Sequence, residues 1–299
     1  MEIIRELKEI PKLSLALGFF DGVHIGHQEV ISCAVRASKV IGCESAVLTF
    51  SEHPRSLLTG ERLEFITTRE DKYKYIEELG VDYIIELDFS LVAHMTPQEY
   101  FDNILVKYFS PKFISTGFNH KFGVGKSGNV LFLSDHQNKY SYIYSATPPQ
   151  SIWGDVISSS AIRNFIKSGN MNMASSMLGR DFSVKGGVIK GKQIGRTIGY
   201  PTANIIYPLD VVEPPFGVYA VSVDLPDGTS YKALANFGVS PTISNDGIKI
   251  LEVYLLNFDG DLYGKEISVN FLKMIRPELK FDSLEALKMQ ISFDIQALK

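Results

Sequence analysis

Two histidines and several glycines form the first group of residues in this sequence that could do chemistry. Residues 18–27 read Gly-Phe-Phe-Asp-Gly-Val-His-Ile-Gly-His and stand between a strand-like run and a helix-like run. A helix N-terminus presents free N–H groups to an anion, and His24 and His27 would share one face there. Gly22 and Gly26 let backbone and ligand approach closely. The pattern favours a phosphate site, and a surface pair on a helix cap is the alternative.

A second pattern of this kind follows later in the same half of the chain. Ser158, Ser159 and Ser160 offer hydroxyl and N–H groups at the start of a helical run, and Arg163 adds a planar fork for phosphate oxygens. A serine N-cap with an exposed arginine is the alternative. The Gly-Lys-Ser sequence at residues 125–127 is not a P-loop, because His120 occupies the position of the required glycine.

A glycine-rich segment at residues 191–204 is the third group. Its glycines can wrap phosphates, and Arg196 supplies positive charge nearby. Thr202 and Asn204, two residues apart in an extended segment, project to one side, where their oxygens suit a hard cation such as Mg²⁺. An ordinary glycine-rich turn with a capping threonine is the alternative.

The histidines and cysteines are distributed unevenly. All six histidines and both cysteines lie in the first half of the chain, the last of them being His136. Chemistry beyond that point must therefore use carboxylates, hydroxyls, amides, lysines or arginines. Cys33 and Cys43 show no spacing typical of a metal site or a disulfide framework.

The elements that would position these residues differ between the two halves. From about residue 13 to residue 181, strand-like runs alternate with helix-period segments, which predicts a parallel sheet covered by helices. After Asp181, short β-type runs are separated by Gly, Pro, Asn and Asp, which predicts a small barrel or sandwich. We therefore expect two domains, at residues 1–181 and 182–299.

Two hairpins and a final helix are predicted in the second half. The first hairpin turns at residues 225–228, and the second joins strand-like runs at 251–258 and 267–275 through Asp259-Gly260-Asp261. Ser283 can cap a last helix that packs against the outside of the barrel.

Composition excludes several classes of protein. The 299 residues are 45% hydrophobic and 21% charged, as in ordinary folded proteins, and the net charge of −4 provides no basic field for a polynucleotide. The N-terminus is charged, without the apolar core of a secretory signal, and no run approaches the ~20 apolar residues of a membrane span. These features predict a cytoplasmic protein with neither nucleic-acid nor membrane partners.

The first half resembles a known family. Residues 18–27 match the signature of the adenylyl-transferring half of prokaryotic bifunctional riboflavin kinase/FMN adenylyltransferases. Residues 49–54, 117–123 and 157–163 resemble three further motifs of that family, with Glu52 replacing a proline and His120 replacing an aromatic residue. The resemblance implies a Rossmann-like nucleotidyltransferase domain with flanking helices. The implied catalytic residues are His24, His27 and Arg163, the ATP-binding ones Gly18, Phe19, Asp21, Gly22, Gly26, Ser158 and Ser159, and the flavin-binding ones His53, Asn119 and Phe122.

The second half resembles the riboflavin kinase half of the same family. Residues 191–204 match its signature, and further blocks follow in order as far as about residue 281. The resemblance implies a six-stranded Greek-key barrel with a terminal helix and Glu252 as the base that accepts the ribityl proton. It also implies that Thr202 and Asn204 hold the metal, that Arg276 binds flavin, and that the ATP-binding residues are Gly191, Gly195, Arg196 and Gly199.

The resemblance predicts a two-step flavin cofactor synthase. It would phosphorylate riboflavin to FMN and then transfer an adenylyl group from ATP to FMN, with Mg²⁺ needed in both steps. Three alternatives stay open: a protein active in only one half, a flavin-binding regulator without catalysis, and a cytidylyltransferase-type enzyme acting on another phosphorylated substrate. Strand alternation alone leaves open whether Glu252 faces a site or solvent.

Overall fold

The chain folds into two compact units. The computed structural model describes residues 1–52, 63–191, 194–239 and 248–298. One unit comprises Met1–Glu64 and Thr68–Ser159, and the other comprises Phe65–Thr67 and Ser160–Lys299. The units therefore divide about twenty residues before residue 181, so the two helices that follow Ser159 count with the second unit. Residues 65–67 also count there, because Phe65 exchanges two backbone hydrogen bonds of 2.7 Å with Asp210 and Val212.

The first unit contains a six-stranded parallel sheet flanked by helices, which confirms the predicted fold class. Its strands lie in the order β1-β4-β3-β2-β5-β8. The strands of the unit are β1 (Glu2–Ile4), β2 (Leu13–Leu17), β3 (Glu44–Phe50), β4 (Tyr83–Leu87), β5 (Phe113–Gly117), β6 (Lys121–Phe122), β7 (Gly128–Asn129), β8 (Ile143–Thr147), β9 (Ser151–Ile152) and β10 (Asp155–Val156). Its helices are α1 (Ile25–Ile41), α2 (Arg69–Glu78), α3 (Pro97–Tyr100, continuing as a π-helical stretch Phe101–Phe109), α4 (Val130–Asp135) and α5 (Gln137–Tyr140).

The order of these strands creates a crevice where ligands can bind. β2 and β5 are neighbours, and the chain proceeds from β2 to β3 on one side and returns to β5 on the other. Ligands bind outside the carboxyl ends of parallel strands at such a reversal. The segments that begin at Gly18 and Phe118 leave the sheet there, so the fold brings two of the predicted motifs to one edge.

The second unit is a nearly closed antiparallel barrel with helices before and after it. Its strands lie in the order β11-β16-β13-β14-β15-β12. The bounds of these strands are β11 (Phe182–Gly187), β12 (Ala203–Ile206), β13 (Gly217–Asp224), β14 (Ser230–Val239), β15 (Lys249–Leu255) and β16 (Glu266–Pro277). The helices are α6 (Ser159–Lys167), which begins at the last residue of the first unit, α7 (Met171–Leu178), α8 (Ile194–Thr197) and α9 (Leu284–Gln296).

Contacts between β11 and β12, together with the segment after β11, almost close the barrel. The Ile189 N–H donates to the Asn204 carbonyl at 2.8 Å, and a Cβ added to Gly186 would lie 3.2 Å from the Ile205 Cβ. Phe182, Tyr219 and Phe271 are almost completely buried, and the Phe271 ring contacts the other two rings in the interior. A backbone hydrogen bond and close packing therefore hold the two edge strands of the barrel, β11 and β12, together.

One of the two predicted hairpins is wrong. β13 and β14 pair around the turn at residues 225–228, as expected. β15 and β16, in contrast, are not neighbours, because β15 pairs with β14 and β12 whereas β16 pairs with β13 and β11. The Asp-Gly-Asp turn chemistry is local and does not reveal that both edges of β15 are already occupied.

The terminal helix follows the sequence prediction. The Ser283 side chain accepts a hydrogen bond from the Ala286 N–H and caps α9. Asp294 on this helix accepts hydrogen bonds from Arg276 of β16, which fixes the helix against the outside of the barrel. No helix in the described part of the chain is both long and apolar enough to cross a bilayer.

The barrel interior provides a stability test. Phe271 is 0% exposed, whereas Phe293 on α9 is 62% exposed. Phe271→Ala should lower the free energy of unfolding by about 3–5 kcal/mol, because it leaves a cavity among aromatic rings. Phe293→Ala, the matched control, should change it by less than about 0.5 kcal/mol. Urea unfolding followed by circular dichroism measures both, and equal losses would contradict this account of the core.

Two candidate active sites

The turn between β2 and α1 has an unusual backbone. Phe20, Gly22 and Val23 have positive φ angles of 59°, 78° and 40°. Such angles are rare for phenylalanine and valine, so the surrounding structure must hold them. The Phe20 ring lies against Gly18, where an added Cβ would be 2.8 Å from the ring. This contact explains why a glycine directly follows the strand.

His24 caps helix α1. Its Nδ1 accepts a hydrogen bond of 3.2 Å from the His27 N–H. A nitrogen that accepts carries no proton, so the ring proton of His24 lies on Nε2, which can donate to a ligand. The His24 and His27 rings stack at 3.5 Å, and a Cβ added to Gly26 would lie 3.2 Å from the His24 ring. The glycine thus leaves room for the stacked pair.

His27 is held in its neutral form. Burial above all, and then electrostatic interactions with His24 and Lys72, keep the pKa of His27 well below its usual value. Its Nδ1 is buried and has no hydrogen-bond partner among the described residues. At neutral pH this imidazole can therefore donate or accept a hydrogen bond, but it does not contribute a positive charge.

The second phosphate motif begins beside this turn. The Ser159 hydroxyl donates to the Asp21 carbonyl at 3.0 Å, so the structure brings these two predicted residues together. Ser158 directly precedes Ser159. Arg163 lies one helical turn further along α6, in the second compact unit, and its place in a nucleotide site stays a prediction.

The residues predicted to bind flavin in the first unit have different surroundings. His53 lies outside the described residues. Asn119 is exposed just after β5, at the crevice. Phe122 is half-buried, and its ring contacts Tyr100 and Phe132. Burial lowers the pKa of the neighbouring His120 to about 4. Flavin binding by this loop stays a prediction.

Lys72 is a residue of this region that sequence reasoning missed. It is only 6% exposed, and its Nζ lies 4.5 Å above the centre of the Phe19 ring. Lys72 and Ile76 are one turn apart on α2, so the lysine interrupts the apolar face of the helix. A charged residue within an apolar stripe was the signal that could have identified it.

A cavity of about 610 Å³ lies on the outside of the barrel. Barrel strands, the segment after β16 and α9 form its walls. Its lining includes four residues predicted from sequence: Gly195, Thr202, Glu252 and Arg276. The other lining residues are Ile198, Tyr200, Val218, Leu234, Ala235, Asn236, Tyr254, Glu278, Leu279, Lys280, Phe281, Leu287, Ile291 and Asp294.

Strand register aligns the polar groups of this cavity. Glu252 is paired with Asn204 on one side and with Asn236 on the other. Asn236 in turn is paired with Val218, and Val218 with Arg276. Paired residues in a sheet face the same side. Glu252 therefore faces the cavity outside the barrel, which decides the question that strand alternation left open.

The glycine-rich loop folds back against Asn204 and Thr202. A Cβ added to Gly191 would lie 2.8 Å from the Asn204 Nδ2, and one added to Gly195 would lie 2.2 Å from the Tyr200 carbonyl oxygen. Side chains at these two positions would push the loop away. Thr202 lines both the large cavity and an adjoining one of about 330 Å³, which Arg196 also lines.

The remaining predicted residues of this loop are placed as follows. Gly199 is exposed and has a φ of 89°. Asn204 is 7% exposed and lies next to Glu252 in the register. The described residues contain no group of three or more His, Cys, Asp or Glu side chains that could hold a metal ion. The Thr202 hydroxyl and the Asn204 amide themselves offer neutral oxygens, which suit Mg²⁺ that is also bound to phosphates.

Arg276 is fixed by a buried carboxylate. Its Nε and Nη2 donate to the Asp294 Oδ2 at 3.0 and 2.8 Å. Asp294 is 3% exposed and also accepts a hydrogen bond of 2.9 Å from Gln290. The guanidinium lies 5.7 Å from the centre of the Phe281 ring. This arrangement gives the cavity a rigid, charged end beside apolar walls.

Comparisons with known proteins match two segments of the chain to two different family models. Residues 7–161 match the family model described as FAD synthetase, and residues 178–299 match the one described as riboflavin kinase. Proteins named bifunctional riboflavin kinase/FMN adenylyltransferase are 36% identical in Listeria monocytogenes and 35% identical in Haemophilus influenzae. The alignments cover 94% of this chain and 90% of the Listeria protein, and 100% and 98% for the Haemophilus protein.

A solved structure shares the whole fold. The crystal structure of a protein named macrolide-efflux protein from Streptococcus pneumoniae superposes with a TM-score of 0.89 and 32% identity, over 99% of this chain and 98% of that one. The family models and the relatives cover nearly the entire sequence. The chain therefore belongs to the family of bifunctional riboflavin kinase/FMN adenylyltransferases, the enzymes that convert riboflavin to FMN and FMN to FAD.

Proposed function

We propose that this chain makes FAD from riboflavin in two steps at two separate sites. Residues 182–299 transfer the γ-phosphate of ATP to the 5′-hydroxyl of riboflavin, giving FMN and ADP. Residues 1–181 let the FMN phosphate attack the α-phosphorus of a second ATP, giving FAD and pyrophosphate. The observation that carries the proposal is the row of paired strand residues that places Glu252 between Asn204 and Asn236, in the lining of a cavity of about 610 Å³.

In the kinase step Glu252 is the base for the ribityl hydroxyl. Phosphoryl transfer depends mainly on positioning, and a carboxylate within reach suffices to accept the proton as the new P–O bond forms. Leu234, Leu279 and Ile291 contribute apolar surface that suits a planar ring system. Arg276 would hold the polar part of the flavin at the fixed end of the cavity.

The Thr202 hydroxyl and the Asn204 amide oxygen are the groups we expect to hold Mg²⁺. When bound, the ion supplies charge screening for the ATP phosphates. Gly191 and Gly195 keep the loop close to these oxygens. Arg196 and Gly199 would face the phosphates from the same loop.

In the adenylyl step the stacked histidines donate hydrogen bonds. The His24 Nε2–H and a neutral His27 would stabilise negative charge that grows on the α-phosphate, together with the N-terminus of α1. The FMN phosphate attacks directly and pyrophosphate leaves, so no covalent bond to the enzyme forms. Ser158, Ser159 and Arg163 would hold phosphate oxygens.

Incubation with riboflavin, ATP and Mg²⁺, followed by chromatography of the flavins, tests the proposal. FMN should appear first and FAD later, and a metal chelator should stop both steps. FMN without FAD would contradict the adenylyl step. Binding of riboflavin without either product would instead support a regulator.

Glu252→Gln should lower the rate of riboflavin phosphorylation about 100-fold or more, because the amide cannot accept the proton. FAD formation from supplied FMN should continue. Glu266→Gln, an exposed carboxylate on β16, is the matched control and should leave both rates unchanged. A phosphorylation rate close to that of the wild type would exclude Glu252 as the base.

His27→Ala should have the opposite effect. FAD formation from FMN should fall about 100-fold, because a hydrogen-bond donor to the developing charge is lost. Riboflavin phosphorylation should stay at the wild-type rate. His94→Ala, an exposed histidine in the same unit, is the control. A parallel loss of both activities would contradict two separate sites.

Asp294→Asn tests the role of the arginine. The change keeps the size of the side chain but removes the charge that fixes Arg276. The KM for riboflavin should rise about 10-fold, equivalent to ~1.4 kcal/mol, whereas the KM for ATP should stay unchanged. Steady-state kinetics measure both constants. An unchanged riboflavin KM would show that Arg276 does not contribute to flavin binding.

A further inference from the structure

Lys72 donates a hydrogen bond to the turn between β2 and α1 from the buried side of that turn. Its Nζ lies 3.4 Å from the Phe19 carbonyl oxygen and 3.5 Å from the Thr49 Oγ1. The Thr49 hydroxyl donates to the same carbonyl at 3.1 Å. Thr49 of β3 and Lys72 of α2 thus both donate to Phe19, which directly precedes Phe20 with its left-handed backbone.

Both negatively and positively charged side chains surround Lys72. Burial is the largest influence and lowers the pKa of Lys72 to about 8, while the carboxylates of Asp21 and Glu86 raise it and Arg69 lowers it. Tyr73 also faces the ammonium, with its ring centre 5.5 Å away. Burying an ammonium group costs free energy unless hydrogen bonds and opposite charges offset the loss of water. A lysine at this buried position therefore suggests that its contacts with the turn serve a function.

Lys72 is also electrostatically linked to the histidines. Its positive charge is one of the three causes that lower the pKa of His27. The Asp21 carbonyl, which belongs to the turn that Lys72 supports, accepts the hydrogen bond from Ser159. The Lys72 side chain therefore influences the backbone of the turn and the protonation of His27. It also supports the turn whose Asp21 carbonyl accepts the Ser159 hydrogen bond.

We propose that Lys72 is a positioning residue for adenylyl transfer, whose ammonium fixes the Phe19 carbonyl and thereby the turn that leads to His24 and His27, so that both histidines point at the nucleotide phosphates. The inference rests on the function proposed for this site. Lys72 does not itself touch the substrate, because its side chain is buried under the turn.

Lys72→Met tests the inference, since methionine keeps the length and removes the charge. The kcat for FAD formation from FMN should fall about 100-fold, as expected when reacting groups are misplaced. Riboflavin phosphorylation should be unchanged. Lys74→Met, two residues along α2 at a side chain that is 59% exposed, is the matched control and should leave both activities unchanged.

A pH profile separates positioning from a merely structural role. Lys72 loses its charge as the pH rises through about 8, so wild-type FAD formation should decline there. Asp21, Glu86, Arg69, Tyr73 and His27 are the titratable groups among the described residues that face it. The declining limb should be absent in Lys72→Met and present in Lys74→Met. A wild-type profile without this limb would overturn the inference, even if the variant failed to fold.

A measurement without turnover distinguishes failure of the inference from failure of the proposed function. The pKa of His27, followed by NMR titration, should rise in Lys72→Met. If the wild type made no FAD, the function proposed for the site would be wrong, and the His27 titration would still test the link to Lys72. A folded variant in which the His27 pKa and the ring signals of His24 and His27 all stay unchanged would overturn the inference.

Discussion

The filled interior of the barrel is the physical constraint on which the kinase site depends. Leu251 and Val253 are buried inside, so Glu252 between them must face outward. Because paired residues of neighbouring strands face the same side of the sheet, Asn236 and Arg276 face outward as well. A slip of one residue would turn every side chain of β15 to the other face, so core packing also selects the residues that can reach the substrate.

A different constraint operates in the first unit, where backbone geometry takes the place of strand register. The strand reversal between β2 and β5 brings the turn after Leu17 to the crevice at the carboxyl ends of the sheet. The turn itself is strained, since Phe20 and Val23 have positive φ angles. Lys72 and Ser159 contact this turn from two sides, so its conformation depends on residues far away in the sequence.

The sequence was sufficient for the fold class and for the family, because alternating strand and helix patterns and long motifs are local features. It could not determine which face of β15 carries Glu252, because that depends on pairing with β12 and β14. It predicted a β15–β16 hairpin that does not exist, for the same reason. Lys72 was missed because its partner, the Phe19 carbonyl, lies 53 residues away.

The central claim is that two independent sites share FMN as the product of one and the substrate of the other. The most direct test mixes the Glu252→Gln and His27→Ala proteins with riboflavin, ATP and Mg²⁺. Neither protein alone should make FAD from riboflavin, whereas the mixture should, because the FMN released by one protein is adenylylated by the other. Failure of the mixture, with each protein active on its own supplied substrate, would contradict the claim.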